Sequence, residues 1–234
     1  MKVLAIGCHP DDIEIGCAGT LAKYKKLGHE VTVVHVCNGN LGHVIIEPEE
    51  LGKMRIQEAK NAGALAGINV RTLDIGDLLV YGDHKEQRDK MTALIAEEQP
   101  DVIITHCPDD YMPDHNAVSQ LVFDAAFAAS VAHYPAVNNN PAKVTPIYYM
   151  DTLAGVGSLP TEYVDISEFI DLKLEMLECH ESQLTWMRDH DNIDFAEFVK
   201  TCARFRGIQC GVQYAEAFTK CMFWPKVVPG TLLP

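Results

Sequence analysis

Residues 2–12, KVLAIGCHPDD, join an apolar strand pattern directly to a polar cluster. After Lys2 the residues are small or apolar as far as Gly7, which predicts a buried β-strand. A helical pattern over residues 13–27 ends at Gly28, and a Val-rich strand is predicted over residues 31–37. This succession of strand, helix and strand is typical of a parallel α/β sheet.

The same alternation continues along the rest of the chain. Further helices are predicted over residues 48–66, 85–98, 114–132 and 167–187, the last with Ser167 as its N-cap, and further strands over residues 70–75, 101–106, 146–152 and 162–166. The residues beyond are predicted as a helical tail. We therefore predict one domain over residues 1–234, with an α/β, Rossmann-like three-layer fold in which helices cover both faces of a mostly parallel central sheet.

Composition excludes several kinds of partner. The chain carries a formal net charge of −14 and has no basic run, so neither nucleic acid nor an anionic membrane surface is expected to bind it. The opening MKVLAIGCHPDD lacks the apolar length of a signal peptide, and the eight cysteines form no CxxC pair. A soluble, cytoplasmic protein with reduced thiols is the expectation.

Two polar clusters follow the first and fourth predicted strands. His9-Pro10-Asp11-Asp12 ends the first strand, and residues 108–115, PDDYMPDH, lead from the fourth strand into a helix. In a sheet of strand order 3-2-1-4 these two strands are neighbours, and their crossovers leave in opposite directions. Such a sheet opens a crevice at the carboxyl ends of the two strands, so the clusters are expected to meet there.

The residue types in these clusters suit a catalytic metal. Zinc in hydrolases takes three His, Asp or Glu ligands and keeps a fourth position for water. His9, Asp12 and His115 supply such a set, and Asp11 is placed to act as general base. The alternative is that the aspartates, Asp114 included, only cap helices, but a cap requires neither His9 nor a second His-bearing turn.

These motifs resemble those of a known family. GCHPDDIEIGCAGTL and PDDYMPDHNAV are similar to the two motifs of the LmbE-like (PIG-L) N-deacetylases. Residues 55–58 resemble the family's R-x-x-E, residues 180–183 its H-x-S-Q, and residues 206–218 its closing motif. The resemblance implies zinc-dependent hydrolysis of an N-acyl group, commonly the acetyl of a glucosamine unit, by a homo-oligomer with the ligands and base named above.

The second motif departs from the family pattern at Met112. Family deacetylases usually carry a His there, which is thought to donate to the oxyanion while the following Asp orients it. A thioether donates no proton, so Met112 removes that donor and leaves Asp114 without its expected partner. His106, His43 and His84 are candidates to replace the donor or to bind substrate, although an ordinary surface or supporting role is the alternative for each.

Two further residues are candidate substrate contacts. Arg55 is expected either to anchor a substrate or to form an i,i+3 pair with Glu58. His180 is expected either to line the pocket or to bond a backbone carbonyl.

Three functions remain open on the sequence. The leading one is a zinc-dependent hydrolase that removes an N-acetyl group from a small amino-sugar-type substrate, with water activated by Asp11. The second is a zinc-dependent hydratase or lyase acting on an unsaturated carboxylate, since the family resemblance also covers such members. The third is a catalytically weakened metal-binding protein, which Met112 also makes credible.

Overall fold

The computed structural model describes residues 1–234 and is built on one seven-stranded sheet. The strands are β1 (Lys2–Gly7), β2 (Glu30–Cys37), β3 (Asn69–Ile75), β4 (Val102–Thr105), β5 (Ile147–Met150), β6 (Glu162–Asp165) and β7 (Ala215–Lys220). The helices are α1 (Asp12–Gly16), α2 (Ala18–Lys26), α3 (Pro48–Leu65), α4 (Lys85–Glu98), α5 (Pro113–Ala128), α6 (Ile170–Glu178), α7 (Glu181–Asp191) and α8 (Phe195–Cys210).

The strand order is β3-β2-β1-β4-β5-β7-β6, which confirms the predicted α/β fold with a mostly parallel sheet. The strands from β3 to β5 pair in parallel, whereas β7 lies antiparallel between β5 and β6. The predicted helical tail is therefore wrong in part: α8 occupies it, but β7 follows and enters the sheet. The residues of β7 and the residue after it, AEAFTKC, are too few and too mixed for their periodicity to separate a strand from a helix.

Both faces of the sheet are covered. Along β1, Val3 and Ala5 belong to an apolar core shared with α2 and α6, whereas Leu4 and Ile6 belong to a second core shared with α4 and α5. This two-sided burial explains why the strand reads as a continuous apolar run. None of the helices is long and apolar enough to cross a membrane.

The predicted helix over residues 13–27 is interrupted. Cys17 leaves the helical backbone conformation (φ −152°, ψ 10°) and separates α1 from α2. The backbone N–H groups of Gly19 and Thr20, in the first turn of α2, donate to the Glu216 carboxylate at 2.9 and 2.7 Å. A carboxylate from β7, distant in sequence, thus takes up the free amides that the break creates.

The predicted helix over residues 167–187 is also two helices. Ser167 is not its N-cap, because its hydroxyl donates to Asp165 at 2.6 Å and α6 starts only at Ile170. The chain turns at His180, and the N–H and hydroxyl of Ser182 in α7 donate to the Glu58 carboxylate at 2.8 and 2.7 Å. The alternative in which Arg55 pairs with Glu58 is therefore wrong, since Glu58 caps α7 instead.

Candidate active site

An open cleft of about 380 Å³ lies at the carboxyl ends of β1 and β4. The loop after β1 and the first residue of α1 bring His9, Asp11 and Asp12 to it, and the loop after β4 together with the start of α5 brings His106 and His115. The adjacency of β1 and β4 therefore places the two polar clusters in one cleft, where the topology predicts them to meet.

Three residues in this cleft fit a metal ion. One ligand atom from each of His9, Asp12 and His115 lies within 4.8 Å of the others. The Nε2 of His115 is 3.3 Å from Asp12 Oδ1, and the Nδ1 of His9 is 3.6 Å from Asp12 Oδ2. His115 Nε2 is buried and has no hydrogen-bond partner. A buried ring nitrogen without a partner, beside a carboxylate, is what a coordinated cation would satisfy.

A separate carboxylate orients each of the two imidazoles. Asp110 Oδ1 lies 3.1 Å from His115 Nδ1, and Asp114 Oδ2 lies 3.2 Å from His9 Nε2. These contacts leave the other nitrogen of each ring facing Asp12. The sequence predicts Asp114 without a partner, but in the structure it contacts His9 and accepts the N–H of Leu78 at 2.9 Å. Carboxylates that hold metal-binding imidazoles in this way are a regular part of such sites.

Sequence reasoning missed Asp110 and a second carboxylate, Asp77. The position of Asp110, five residues before His115 in a turn, was the available signal. Asp77 lies 3.8 Å from His9 Nε2 and accepts the N–H groups of Gly39 and Leu41 at 2.8 and 2.9 Å. It follows β3 in a loop, where no pattern in the sequence marks it.

These carboxylates also set the charge of the two imidazoles. Although burial opposes the effect, Asp12 and Asp110 raise the pKa of His115 to about 10. The pKa of His9 is likewise well above its ordinary value despite burial, because Asp114 accepts a hydrogen bond from the ring and the negative charge of Asp12 lies 3.6 Å from Nδ1. Without metal, the His115 ring is therefore a cationic imidazolium at neutral pH, and a bound cation must displace one of its two ring protons.

Asp11 combines a strained backbone with a buried carboxylate that lies beside an arginine. Its backbone has φ 119°, which is uncommon for any residue other than glycine, and its side chain makes no helix-capping hydrogen bond. The capping alternative is therefore wrong for Asp11. Burial raises the pKa of Asp11 to about 6, and the Arg55 guanidinium 3.1 Å away opposes that rise. Arg55 also donates to the carbonyls of Pro10 and Gly39, so it holds this turn in place.

His106 lies against the metal-binding cluster. Its ring stacks on that of His115, with centroids 4.0 Å apart, and its Nε2 accepts the backbone N–H of Cys8 at 2.8 Å. Burial lowers the pKa of His106, although the carboxylate of Asp12, 3.2 Å from the same Nε2, opposes that shift. Met112 also lines the cleft, and its backbone N–H donates to Asp110 at 3.1 Å.

The predicted substrate contact of His180 is wrong. His180 is fully buried and is not part of the cleft lining; its Nε2 lies 3.2 Å from Glu14 Oε2, and neither ring nitrogen bonds a backbone carbonyl. Gln183, one turn further along, lines the cleft instead. His43 and His84 are not part of the cleft lining, and the ring of His43 packs on Trp186 at a centroid distance of 4.7 Å.

Fold and site together define a Rossmann-like α/β protein with a His-Asp-His cluster at the carboxyl ends of its parallel strands. The sequence profile described as "PIG-L: GlcNAc-PI de-N-acetylase" matches residues 4–126, which is more than half of the 234 residues. The chain belongs to this family, as the sequence motifs predict.

Relatives and solved structures agree with this assignment. The chain is 27% identical to a diacetylchitobiose deacetylase of Thermococcus kodakarensis, with 99% of this chain and 85% of the relative covered. It is 28% identical to the structure of an N,N'-diacetylchitobiose deacetylase from Pyrococcus horikoshii, with a TM-score of 0.80 and 94% and 83% of the two chains covered. A 4-carboxy-2-hydroxymuconate hydratase from Pseudomonas putida has a TM-score of 0.83 over 98% and 99% of the chains but only 21% identity, and shows the fold alone.

Proposed function

We propose that this chain is a zinc-dependent N-deacetylase that releases acetate from a small N-acetylated amino sugar. The observation that carries the proposal is the buried, unpartnered Nε2 of His115 beside Asp12 and His9, with Asp11 in the same cleft. The names of two similar proteins, a diacetylchitobiose deacetylase and a probable N-acetyl-alpha-D-glucosaminyl L-malate deacetylase, support an amino-sugar substrate. Trp186, Tyr111 and Leu41 line the cleft and offer apolar surfaces to a sugar ring.

His9, Asp12 and His115 would hold the ion. Two imidazoles and one carboxylate are a donor set that zinc accepts in hydrolases. When bound, the ion supplies a Lewis acid next to the amide carbonyl and the attacking water. Asp114 and Asp110 keep His9 and His115 in the orientation that this set requires.

Asp11 acts as the general base. It takes a proton from the water as the water oxygen bonds to the amide carbon, and it returns that proton to the nitrogen as the C–N bond breaks. Free amine and acetate are the products. A pKa of about 6 leaves Asp11 ionised at neutral pH yet more basic than an exposed carboxylate. Arg55 serves as a positioning residue for Asp11 rather than as the main substrate anchor.

His106 supplies the donor that Met112 cannot. When its Nε2 accepts the N–H of Cys8, a neutral ring carries its proton on Nδ1, and we propose that this proton is donated to the oxyanion that develops in the cleft lined by His106. A single oxyanion donor of this kind contributes a factor of about 10²–10³ to turnover in comparable hydrolases.

The direct test is deacetylation by the purified chain. The zinc-loaded protein is incubated with N-acetylglucosamine and N,N'-diacetylchitobiose, free amine is measured by a fluorogenic amine reagent, and chelated protein serves as the control. We expect amine release that chelation abolishes and added zinc restores. Release that is unaffected by chelation would contradict the proposal.

A hydratase is the second candidate, and Met112 is the observation that favours it. Addition of water to an unsaturated carboxylate has no tetrahedral amide intermediate and does not depend on the missing histidine donor. A panel of unsaturated carboxylates, followed by loss of absorbance, separates the two reactions. No activity in either assay would support the third function, a metal-binding protein without turnover.

Two further features belong to the proposal. All eight cysteines are unpaired, which supports a reducing, cytoplasmic compartment.

A homo-oligomer is proposed on the exposure of Phe223 and Trp224, because large apolar side chains of this kind are often covered by a second copy. Light scattering of the purified protein measures its mass and tests this.

A further inference from the structure

Two cysteines lie directly behind His9, on the side of the ring that faces away from Asp12. Cys8 directly follows β1 and Cys37 ends the neighbouring β2, and the N–H of Cys37 donates to the carbonyl of Cys8 at 2.8 Å. The two thiol sulfurs are 3.5 Å apart, and both side chains are fully buried. The catalytic proposal uses neither thiol.

These thiols complete a cluster with two residues of the cleft. One ligand atom from each of Cys8, His9, Cys37 and Asp114 lies within 4.8 Å of the others; we call this set the thiol cluster. The Sγ of Cys8 is 3.6 Å from His9 Nε2, and His9 Nε2 is 3.2 Å from Asp114 Oδ2. The cluster therefore offers two sulfurs, one nitrogen and one carboxylate oxygen.

The spacing of these atoms resembles the edges of a coordination tetrahedron. Zinc bonds of about 2.3 Å to sulfur and about 2.0–2.1 Å to nitrogen and oxygen place two sulfurs ~3.8 Å apart, sulfur and nitrogen ~3.6 Å, and nitrogen and oxygen ~3.4 Å. The corresponding distances here are 3.5, 3.6 and 3.2 Å. Three of the six edges thus lie within about 0.3 Å of those of a zinc tetrahedron, and the atoms of the other three pairs lie within 4.8 Å of one another.

We propose that Cys8, His9, Cys37 and Asp114 form a second metal site, selective for a thiophilic cation such as zinc or cadmium. Two thiolates favour soft and borderline ions over the oxygen-seeking magnesium and calcium. Each thiol loses its proton to solvent when the cation binds. The cation enters from the cleft, because His9 and Asp114 line it whereas the two cysteines lie behind them.

The two metal positions exclude each other if His9, Asp12 and His115 are the catalytic ligands, a point that rests on the proposed function. A neutral imidazole offers one lone pair. With its proton on Nε2 and donated to Asp114, His9 presents Nδ1 to the cation beside Asp12. With its proton on Nδ1, it presents Nε2 to the thiol cluster. A cation in the thiol cluster thus removes a ligand from the catalytic set, so excess thiophilic metal inhibits.

Cadmium is the probe for this site. Cadmium chloride is titrated into the metal-free, reduced protein while the ultraviolet absorption of cadmium thiolate is recorded and bound metal is counted by equilibrium dialysis. The unmodified protein is expected to show the thiolate absorption. Cys8→Ala and Cys37→Ala should each lower the affinity of the absorbing site by about 10-fold or more, the loss seen even when only supporting residues of metal sites are replaced.

Two variants serve as controls. Cys221→Ala removes a thiol that is equally buried but lies outside the thiol cluster, so it should leave the titration unchanged. His115→Ala removes a proposed catalytic ligand, so it should keep the thiolate absorption even though deacetylation is lost. This second variant distinguishes a failure of the thiol site from a failure of the proposed function.

Two results of the cadmium titration would contradict the second metal site. If the unmodified protein binds cadmium without thiolate absorption, or if the absorption survives in the double variant Cys8→Ala/Cys37→Ala, the two thiols only share an S–H···S hydrogen bond. Should the variants fail to fold, X-ray absorption of the unmodified protein with cadmium decides the matter. Two sulfur neighbours support the site, and a shell of nitrogen and oxygen alone refutes it.

Discussion

Arg55 controls the charge of the general base, so Arg55→Met should move the acidic limb of the pH profile to higher pH. The guanidinium lies 3.1 Å from the buried Asp11 carboxylate. Opposite charges about 4 Å apart interact by about 4 kcal/mol at an effective dielectric constant near 20. One pKa unit equals about 1.4 kcal/mol, so removing the charge raises the pKa of Asp11 by about 1–3 units.

The rise starts from a pKa of about 6 in the unmodified protein. A base of that pKa is about 90% ionised at pH 7, and a one-unit rise leaves about half ionised. Because only the ionised form accepts a proton, activity is lost as pH falls through the pKa and is recovered above it. The Arg55→Met enzyme should therefore be impaired at pH 7 and recover towards pH 9.

The assay is kcat/KM for amine release between pH 5 and pH 9 (about four pH units, enough to contain both limbs). Arg55→Lys keeps the positive charge and should shift the limb less than Arg55→Met. Arg71→Met, which removes a surface arginine paired with Glu97 and Glu98, should not shift it. A loss of activity by the same factor at every pH would refute the reasoning, because it would show that Arg55 acts on substrate or on folding.

Three other outcomes follow from the same site. Asp11→Asn should keep its zinc, measured by atomic absorption, but lose amine release, because Asp11 is the base and not a ligand; loss of the metal would contradict that role. Met112→His should raise kcat for deacetylation if a second oxyanion donor is limiting, and an unchanged kcat would argue that His106 already suffices. Zinc binding should weaken as pH falls below 10, because the ion displaces a proton from His115, whose pKa is about 10 without metal. Calorimetry in two buffers of different ionisation enthalpy counts the released protons, and a count of zero would exclude the displacement.

The parallel half of the fold could be predicted because its signals are local. Runs such as residues 31–37 are mostly valine and show no regular alternation of polar and apolar residues, and the helices between them keep a 3.6-residue period. The helix breaks at Cys17 and His180 could not be predicted in the same way. Each break is stabilised by a carboxylate distant in sequence, Glu216 in the first case and Glu58 in the second. Local periodicity carries no information about such tertiary capping.

In the candidate site, too, features with a local sequence signal could be predicted, whereas features that depend on contacts distant in sequence could not. His9, Asp12 and His115 lie in two compact motifs, so their types and spacing point to a metal, and the structure brings them together. The fate of His180 depends on the turn that buries it against Glu14, which no motif spacing reveals. Residue type thus identifies metal ligands more readily than it separates a pocket-lining histidine from a buried one.

The turn of residues 108–115 supplies one metal ligand and the carboxylates that orient both imidazoles. Two adjacent aspartates in this turn, Asp109 and Asp110, therefore allow the effect of ring orientation to be separated from the effect of charge. Asp110 receives the His115 ring at 3.1 Å, whereas the adjacent Asp109 is exposed. Asp110→Asn should lower zinc affinity about 10–100-fold, because the amide no longer fixes His115 with Nε2 towards Asp12. Asp109→Asn changes the net charge equally and should leave affinity unchanged. Equal losses in both variants, measured by competition with a chelator, would mean that general charge and not ring orientation holds the ion.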